Sequence, residues 1–211
     1  MKFTNGHPLT PFDKYLNGNK SALNSNQIKG MKLFYGKANC SSCHSGSLLS
    51  DQKFHSIGIP QFGPGRTRPF DPYARDVGRM VETDDLNDMY KFKTPALRNV
   101  SLTAPYGHNG AYPTLKGIIK HHLNPTEMNK NWKPEYANLP KAPWLEQIDF
   151  VTFSDKREQD RIISSIDIKP IVLNDKEIDQ LVSFLESLTG VSGNKRPLGK
   201  PKKVPSGLTI D

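Results

Sequence analysis

Apolar positions recur with the period of an amphipathic α-helix in three stretches of the chain. One helix is predicted from Ser25, a capping residue, and another after Thr114. The third follows Asn174, where Glu177 can complete a capping box, and ends at Gly190. The positions on the apolar faces are Ile28, Met31, Phe34 and Tyr35; Leu115, Ile118, Ile119 and His122; and Ile178, Leu181, Val182, Leu185 and Leu188. Because no strand-rich region or internal repeat is visible, the predicted fold class is all-α with long loops.

The segments around these helices divide the chain into an arm, a domain and a tail. Residues 1–24 are predicted to be an extended N-terminal arm, and residues 25–190 a single domain. Within the domain, residues 45–92 read mostly as loop, and 125–170 as an insertion with a helix at 155–166. A loop of this length is unusual in a compact domain unless it has a function or covers another part of the molecule. Residues 191–211 are basic and proline-rich, and we predict that they are disordered.

The only two cysteines lie in the sequence Cys40-Ser-Ser-Cys43-His44. Cys-x-x-Cys-His is the attachment signature of c-type haem, in which both thiols bond to the porphyrin and the histidine ligates the iron. A structural zinc site needs further Cys or His ligands at short spacing, and a thioredoxin-like pair needs a βαβ pattern. Neither is present, and a disulfide would leave His44 unexplained. We therefore predict one covalent haem c on Cys40 and Cys43, with His44 as the proximal iron ligand.

Composition agrees with a bound macrocycle. Only 35% of residues are hydrophobic, and 17 prolines and 16 glycines interrupt the chain. A haem supplies an apolar body around which such loops can pack. The net charge of +8 fits either a docking surface for an acidic redox partner or a solvated surface with a basic tail. Nucleic-acid binding is disfavoured, because no basic stripe is interleaved with aromatic residues.

No stretch approaches the roughly 18 apolar residues of a membrane span, and residues 1–16 have no hydrophobic run typical of a signal peptide. Covalent haem attachment in bacteria takes place outside the cytoplasm. We therefore expect the sequence to be an excerpt from a longer, exported precursor, and the protein to be periplasmic.

A haem iron held by His44 has a second axial position, for which helical geometry favours His122. At about 100° per residue, His122 falls on the same face as Leu115, whereas His121 is predicted to point toward the polar side. His121 and Met128 remain alternatives. Methionines are less favoured than His122: Met31 is expected to pack against the haem edge, and Met80, Met89 and Met128 are expected to lie in polar loops.

The stretch FKTPALRNVSLTAPYGHNGAYPTL, which begins at Phe92, resembles the second haem domain of bacterial di-haem cytochrome c peroxidases and MauG-like proteins. The blocks TPFDKYLNG, GKANCSSCHSG, FHSIGIP, GRMVETDD and LNDKEIDQLVSFLESLTG extend the resemblance over nearly all of residues 10–190. The resemblance implies a cytochrome c-like haem domain, the C-terminal half of a two-haem protein. The family's distal ligand, methionine in the peroxidases and tyrosine in MauG, falls on His122, so this chain departs from both.

The resemblance also implies roles for residues outside the haem motif. Carbonyls of Thr103 and Pro105 correspond to ligands of an interdomain Ca²⁺, whose other ligands would come from the N-terminal half. Arg98 is expected to pair with a haem propionate, the alternative being a surface cation on a turn. His55 and His108 lie in matching segments, where loop hydrogen bonds explain them as well as chemistry does. No catalytic residue is assigned.

Three functions are compatible with these features. The leading hypothesis is an electron-transfer domain that takes electrons from a small cytochrome or cupredoxin and passes them to a peroxide-reducing haem in an N-terminal domain. The whole protein would then be a cytochrome c peroxidase-type oxidoreductase acting on hydrogen peroxide, or a MauG-like oxidase. The alternatives are a free-standing mono-haem electron carrier, and a five-coordinate haem that reacts with peroxide itself.

Overall fold

The computed structural model describes residues 9–63, 75–139, 143 and 146–190, and within them the fold is mainly helical. The α-helices are α1 (Pro11–Leu16), α2 (Ser25–Tyr35), α3 (Met80–Thr83), α4 (Leu115–Leu123), α5 (Pro125–Lys130), α6 (Val151–Ser154), α7 (Lys156–Ser164) and α8 (Asp175–Glu186). Short 3-10 turns occur at Lys20–Ala22, Cys40–Ser42, Leu86–Asp88, Val100–Leu102 and Pro134–Tyr136. Strands β1 (Phe54–His55) and β2 (Phe92–Lys93) pair antiparallel, with Phe54 opposite Lys93. The predicted helical class is confirmed.

Local capping explains where the principal helices begin. Asn24 and Asn174 accept from backbone N–H groups three residues on and form complete capping boxes. At the start of α4, the Thr114 side chain accepts from the Gly117 N–H without a capping box. The cap at Asn24 corrects the predicted one, Ser25, by one residue. At the other end, α8 stops at Glu186, before the predicted Gly190, whose N–H instead donates to the Asn99 side chain.

The prediction of an extended N-terminal arm is wrong for residues 9–24, the part of it that the structure describes. Helix α1 begins at a capping box between Thr10 and Asp13, and Phe12 is buried in an edge-to-face contact with Phe184 of α8. A segment with three buried residues, Thr10, Phe12 and Asp13, belongs to the domain. The predicted insertion contains α5, α6 and α7, and α7 corresponds to the helix predicted at 155–166. The predicted disordered tail, 191–211, lies outside the described residues.

Helices α2 and α8 cross at close range and form the centre of the first core. A Cβ atom added at Gly30 would lie 1.8 Å from the Gln180 carbonyl oxygen and 2.8 Å from the Phe184 Cβ, so only glycine permits this approach. The buried members of this core are Phe12, Leu23, Phe34, Ala38, Leu49, Leu97, Leu181, Phe184, Leu185 and Leu188, and Cys40 packs against them. The haem motif therefore starts at the edge of the best-packed part of the fold.

Helix α4 lies between the first core and a second, aromatic core. Leu115 packs against both cores, Ile119 against the first, and Ile118 is buried in the second. The second core contains Ile59, Phe62, Tyr106, Ala111, Tyr112, Ile118 and Trp132. A third, smaller cluster holds Val77, Met80, Tyr90 and Ile162, and there the Tyr90 hydroxyl donates to the buried Glu158 carboxylate. None of the helices in the described ranges is long and apolar enough to cross a membrane.

We expect Gly30→Ala to destabilise the protein, although alanine is the better helix former by about 1 kcal/mol. The added methyl group would overlap the α8 backbone, and overpacking of this kind costs about 1–3 kcal/mol or more. Chemical denaturation would measure the change in the free energy of unfolding. Lys29→Ala, at the exposed neighbouring position, is the matched control and should unfold at nearly the wild-type midpoint. A Gly30→Ala protein as stable as the wild type would refute the close-crossing geometry.

Candidate functional site

Cys40, Cys43 and His44 lie on one tight turn directly after α2. Asn39 adopts a left-handed conformation with φ of 50°, and Cys40–Ser42 forms a 3-10 turn. The His44 N–H then donates to the Cys40 carbonyl at 2.9 Å. Both cysteines are free thiols, and burial raises the pKa of Cys40 to about 11, which keeps its thiol protonated. The turn thus presents two thiols and one imidazole from a single short segment.

The structure brings His44 together with His122, the predicted distal ligand. Their ring centroids are 6.4 Å apart, and the ring planes are inclined at 56°. A metal that bonds two imidazole nitrogens on opposite sides, at about 2.0 Å each, places the ring centres roughly 6 Å apart. The observed separation therefore matches the space that one metal atom between these two rings requires.

Backbone carbonyls select the same tautomer for both histidines. His44 Nδ1 lies 3.1 Å from the Leu49 carbonyl oxygen, and His122 Nδ1 lies 2.8 Å from that of Ile118. Because a carbonyl only accepts, each Nδ1 carries the proton and donates it, and each Nε2 keeps its lone pair. Metal-ligating histidines are oriented by such a bond from their other nitrogen. Both rings are therefore prepared to coordinate through Nε2.

Both imidazoles are also held in the neutral form that binds metals. Burial, with a smaller contribution from His122, lowers the pKa of His44 to about 4. Burial likewise lowers the pKa of His122. At neutral pH neither ring carries a proton on both nitrogens, so no proton has to leave before a metal binds. The donor set, two thiols on a turn and two facing neutral imidazoles, fits a six-coordinate c-type haem.

The chain is similar to known proteins in sequence and in structure. No protein-family model matches the chain. The cytochrome-c peroxidase IdrP1 of Denitromonas iodatirespirans is 37% identical over 198 residues, which cover 85% of this chain and 44% of that protein. The methylamine utilization protein MauG of Methylophilus methylotrophus is 30% identical over 147 residues, 69% of this chain and 40% of MauG. The chain belongs to the di-haem cytochrome c peroxidase and MauG family.

A solved structure supports the family fold. The crystal structure of a MauG-like protein associated with microbial copper homeostasis has a TM-score of 0.57 and 27% identity, covering 87% of this chain and 52% of that one. The chain therefore spans less than half the length of these two curated relatives and about half of the solved structure. Membership of the family supports haem c as the cofactor of this site.

His121 lies where the sequence did not predict it. The helical projection placed it on the polar side of α4, but its exposed fraction is 0%. The Tyr112 hydroxyl lies 2.7 Å from its Nδ1, and the Ile57 carbonyl lies 2.6 Å from its Nε2. The projection failed because α4 is covered on a second side by the segments that carry Ile57 and Tyr112. With both nitrogens engaged, His121 is a structural histidine in this state, and it is not available as the distal ligand.

The methionines are not arranged as the sequence suggested. Met80 and Met128 were expected in polar loops, but Met80 begins α3 and is buried in the third cluster. Met128 lies on α5 and packs against the second core. Met89 packs against the third cluster, and Met31 against the first core. Apolar packing therefore accounts for all four.

Arg98 has protein partners in the structure, and its pairing with a haem propionate stays a prediction. Its two terminal nitrogens each donate to a carboxylate oxygen of Asp13 at 3.0 Å, and its Nε donates to the Ser47 carbonyl at 2.7 Å. Burial would raise the pKa of Asp13, but hydrogen bonds from Arg98 and Thr10 outweigh it and hold that pKa below its ordinary value. Arg98 thus ties helix α1 to the loop after the haem motif. Sequence reasoning missed Asp13 because its segment was assigned to the arm.

Thr103 and Pro105 follow the 3-10 turn Val100–Leu102 and are exposed. Their contribution to a Ca²⁺ site stays a prediction. Within the described ranges, the one cluster of three His, Cys or acidic side chains with metal-binding spacing is Cys43, Asp51 and His55. His55 Nε2 lies 2.8 Å from Asp51 Oδ2, and the Asp51 N–H donates to the Cys43 carbonyl. Because the predicted haem attachment would use Cys43 Sγ, we interpret this cluster as fixing the loop that carries Leu49.

The remaining predicted histidine, His108, stacks on Phe92. Their ring centroids are 3.6 Å apart, with an interplanar angle of 8°. This contact joins the His108 loop to β2, which supports the structural interpretation of His108 over a chemical one.

The Asp13–Arg98 pair leads to a prediction for acid stability. Because the pKa of Asp13 is lower in the folded protein than its ordinary value of 3.8, the pair contributes stability above that pH and loses it as the pH falls. Asp13→Asn should therefore be less stable than the wild type at neutral pH, and the difference should shrink below about pH 4. Denaturant unfolding across this pH range measures it. Asp160→Asn, at an exposed carboxylate, is the control and should show no such trend.

Proposed function

We propose that this chain is the haem c electron-transfer domain of a periplasmic di-haem cytochrome c peroxidase or MauG-like oxidoreductase. The observation that carries the proposal is the pairing of His44 and His122, with ring centres 6.4 Å apart and both Nδ1 atoms donating to backbone carbonyls. Two such imidazoles, one of them next to a Cys-x-x-Cys pair, are a complete axial ligand set for a covalently attached haem.

Each residue of the site has a defined task in this proposal. Cys40 and Cys43 would hold the porphyrin on the turn after α2 through their sulfur atoms. His44, oriented by the Leu49 carbonyl, would be the proximal ligand, and His122, oriented by the Ile118 carbonyl, would be the distal ligand. When bound, a haem c supplies a one-electron redox centre. The surrounding side chains contribute burial and keep both imidazoles neutral.

A closed axial pair favours electron transfer over peroxide chemistry in this domain. Peroxide must reach an open coordination position to react, and His44 and His122 as a ligand pair would leave none. The reduction of peroxide, or the oxidation of another substrate, is therefore assigned to a second haem domain. The length comparison supports this division, because the chain spans only 44% and 40% of its curated relatives.

The ligand set also predicts the direction of the reduction potential. Methionine and histidine together raise the potential of a c-type haem relative to two histidines. A His/His pair therefore suits a domain that passes electrons onward at a lower potential than a His/Met cytochrome. The electron donor would be a small cytochrome or cupredoxin, and Thr103 and Pro105 would complete an interdomain Ca²⁺ site only with the second domain.

The ligand assignment can be tested with His122→Ala in the haem-loaded protein. Loss of the distal imidazole opens the sixth position, so we expect a ferric spectrum with high-spin character and carbon monoxide binding to the ferrous form at least tenfold faster than in wild type. The control is Lys120→Ala, two residues before His122 on α4, which should keep the low-spin spectrum. If the wild type already binds carbon monoxide rapidly and His122→Ala changes nothing, the domain is a five-coordinate peroxide site instead.

His122→Met provides a second test, by exchange of the ligand type. If the methionine sulfur replaces the imidazole, a methionine-to-iron charge-transfer band should appear in the near infrared, and potentiometric titration should show a higher reduction potential. Such a band in the wild-type protein would contradict the assignment of His122.

Covalent attachment can be tested by mass. We expect the intact mass of the protein matured in a haem c-attaching host to equal the chain plus one haem, which acidified organic solvent does not extract. The double variant Cys40→Ala, Cys43→Ala should lose all covalent haem because both thioether bonds are absent. Ser41→Ala, between the two cysteines, should retain it. A wild-type mass without haem would refute the cofactor assignment.

A further inference from the structure

We propose that Tyr112 and His121 form an anchor that positions His122 against the iron and keeps the sixth coordination position closed. This inference rests on the proposed function, since it assumes that His122 is the distal ligand. Tyr112 and His121 are positioning residues, because neither touches the metal. The anchor would set how slowly His122 leaves the iron, a rate that the identity of the ligands alone does not determine.

The hydrogen bonds of the anchor have a single possible direction. The Ile57 carbonyl only accepts, so His121 Nε2, 2.6 Å away, carries the proton and donates it. His121 Nδ1 is then an acceptor, and the Tyr112 hydroxyl, 2.7 Å away, donates to it. The three groups form a chain from tyrosine through histidine to the backbone. Tyr112 is 3% exposed and His121 0%, so water cannot replace a broken link without opening the core.

Both ends of the anchor are fixed to parts of the fold other than α4. Tyr112 exchanges backbone hydrogen bonds with Tyr106, and the neighbouring Ala111 carbonyl accepts from the Trp132 indole at 2.9 Å. At the other end, Ile57 follows strand β1, and the carbonyl of the next residue, Gly58, accepts from the buried Asn129. His121 is therefore held between two segments that are themselves braced against the second core.

The anchor acts on His122 because the two histidines are consecutive on one helix. Their side chains leave α4 about 100° apart, so the restraint on His121 sets the direction of His122; the two rings are inclined at 87°. The hydrogen bond from His122 to Ile118 lies within α4 and does not restrain the helix relative to His44. Of the other polar links of α4, Lys116–Asp179 and Lys120–Asp175 are exposed ion pairs of small energetic value. The Leu123 carbonyl at the end of the helix also accepts from the Ile171 N–H at 2.8 Å, but this bond holds the backbone and not the direction of a ring.

The consequence is a slow opening of the iron to small ligands. For carbon monoxide or peroxide to bind, His122 must leave the metal, and this requires the last turn of α4 to move away from His44. Any such movement strains the buried Tyr112–His121–Ile57 chain. Weakening the chain should therefore speed the release of His122 without changing which residue is the ligand.

The test measures carbon monoxide binding to the ferrous, haem-loaded protein by rapid mixing. At high carbon monoxide concentration the observed rate constant for binding reaches a limit, which equals the rate constant for release of His122 from the iron. Tyr112→Phe removes one buried hydrogen bond and should raise this limiting rate about fivefold or more. Tyr106→Phe is the matched control: it deletes a hydroxyl that donates to the Val100 carbonyl on the same loop, and its rate should stay at the wild-type value.

A second variant breaks the same bond from the other side. His121→Gln can still donate to the Ile57 carbonyl but offers no acceptor at the position of Nδ1, so it should accelerate release to a similar extent. The double variant Tyr112→Phe, His121→Gln should release His122 no faster than the faster single variant, because the two substitutions remove the same Tyr112–His121 hydrogen bond. The ferric protein should remain low-spin in each case, since His122 is still present. Should Tyr112→Phe fail to mature with haem, His121→Gln alone provides the comparison.

The outcomes separate the anchor from the ligand assignment. Wild-type limiting rates in Tyr112→Phe and His121→Gln, or equal acceleration in Tyr106→Phe, overturn the anchor. If His122→Ala binds carbon monoxide rapidly while the anchor variants behave as wild type, the ligand assignment stands and only the anchor fails. If His122→Ala itself leaves the rate unchanged, the proposed function fails as well.

Discussion

The separation between the His44 and His122 imidazoles is set by two segments that lie far apart in the chain and belong to different parts of the fold. His44 ends the turn that leaves α2, and α2 is locked against α8 by the close approach at Gly30. His122 is carried by α4, which is packed between two cores. Coordination of one metal by both rings would require their separation to be kept within a fraction of a metal–ligand bond length. The packing of both cores therefore determines the geometry of the site.

Polar contacts, as well as apolar packing, maintain this arrangement in a chain with a modest hydrophobic content. Arg98 joins α1 to the loop after the haem motif through Asp13 and Ser47. Asp51 accepts from His55 and from the Lys53 backbone; although burial alone would raise its pKa, these bonds lower it to about 2 and keep it ionised. Each of these contacts bridges a loop whose own structure is irregular. Loops of this kind keep a single conformation only where their buried polar groups are satisfied.

The features that could be predicted from the sequence are those that depend on neighbouring residues. The Cys40–His44 motif, the cap at Thr114 and the capping box at Asn174 are local patterns, and the structure contains all three as turn and helix starts. His121 was wrongly placed on the polar side because a helical projection carries no information about which distant segment covers a face. The carbonyls that orient the two histidines have no side-chain signature at all, and the Asp13–Arg98 pair joins residues 85 positions apart, which no local pattern indicates.

Electron transfer and peroxide chemistry make different demands on the coordination of a haem iron. A haem with both axial positions filled by neutral, firmly oriented imidazoles changes its charge with little change in its surroundings, which favours electron transfer. Peroxide chemistry makes the opposite demand, an accessible metal and groups that move protons. One site cannot satisfy both demands at once, because an imidazole that fills the sixth position also keeps peroxide from the metal. The chain spans less than half the length of these two curated relatives, and the paired histidines meet only the first demand, which is the physical basis of the proposed electron-transfer role.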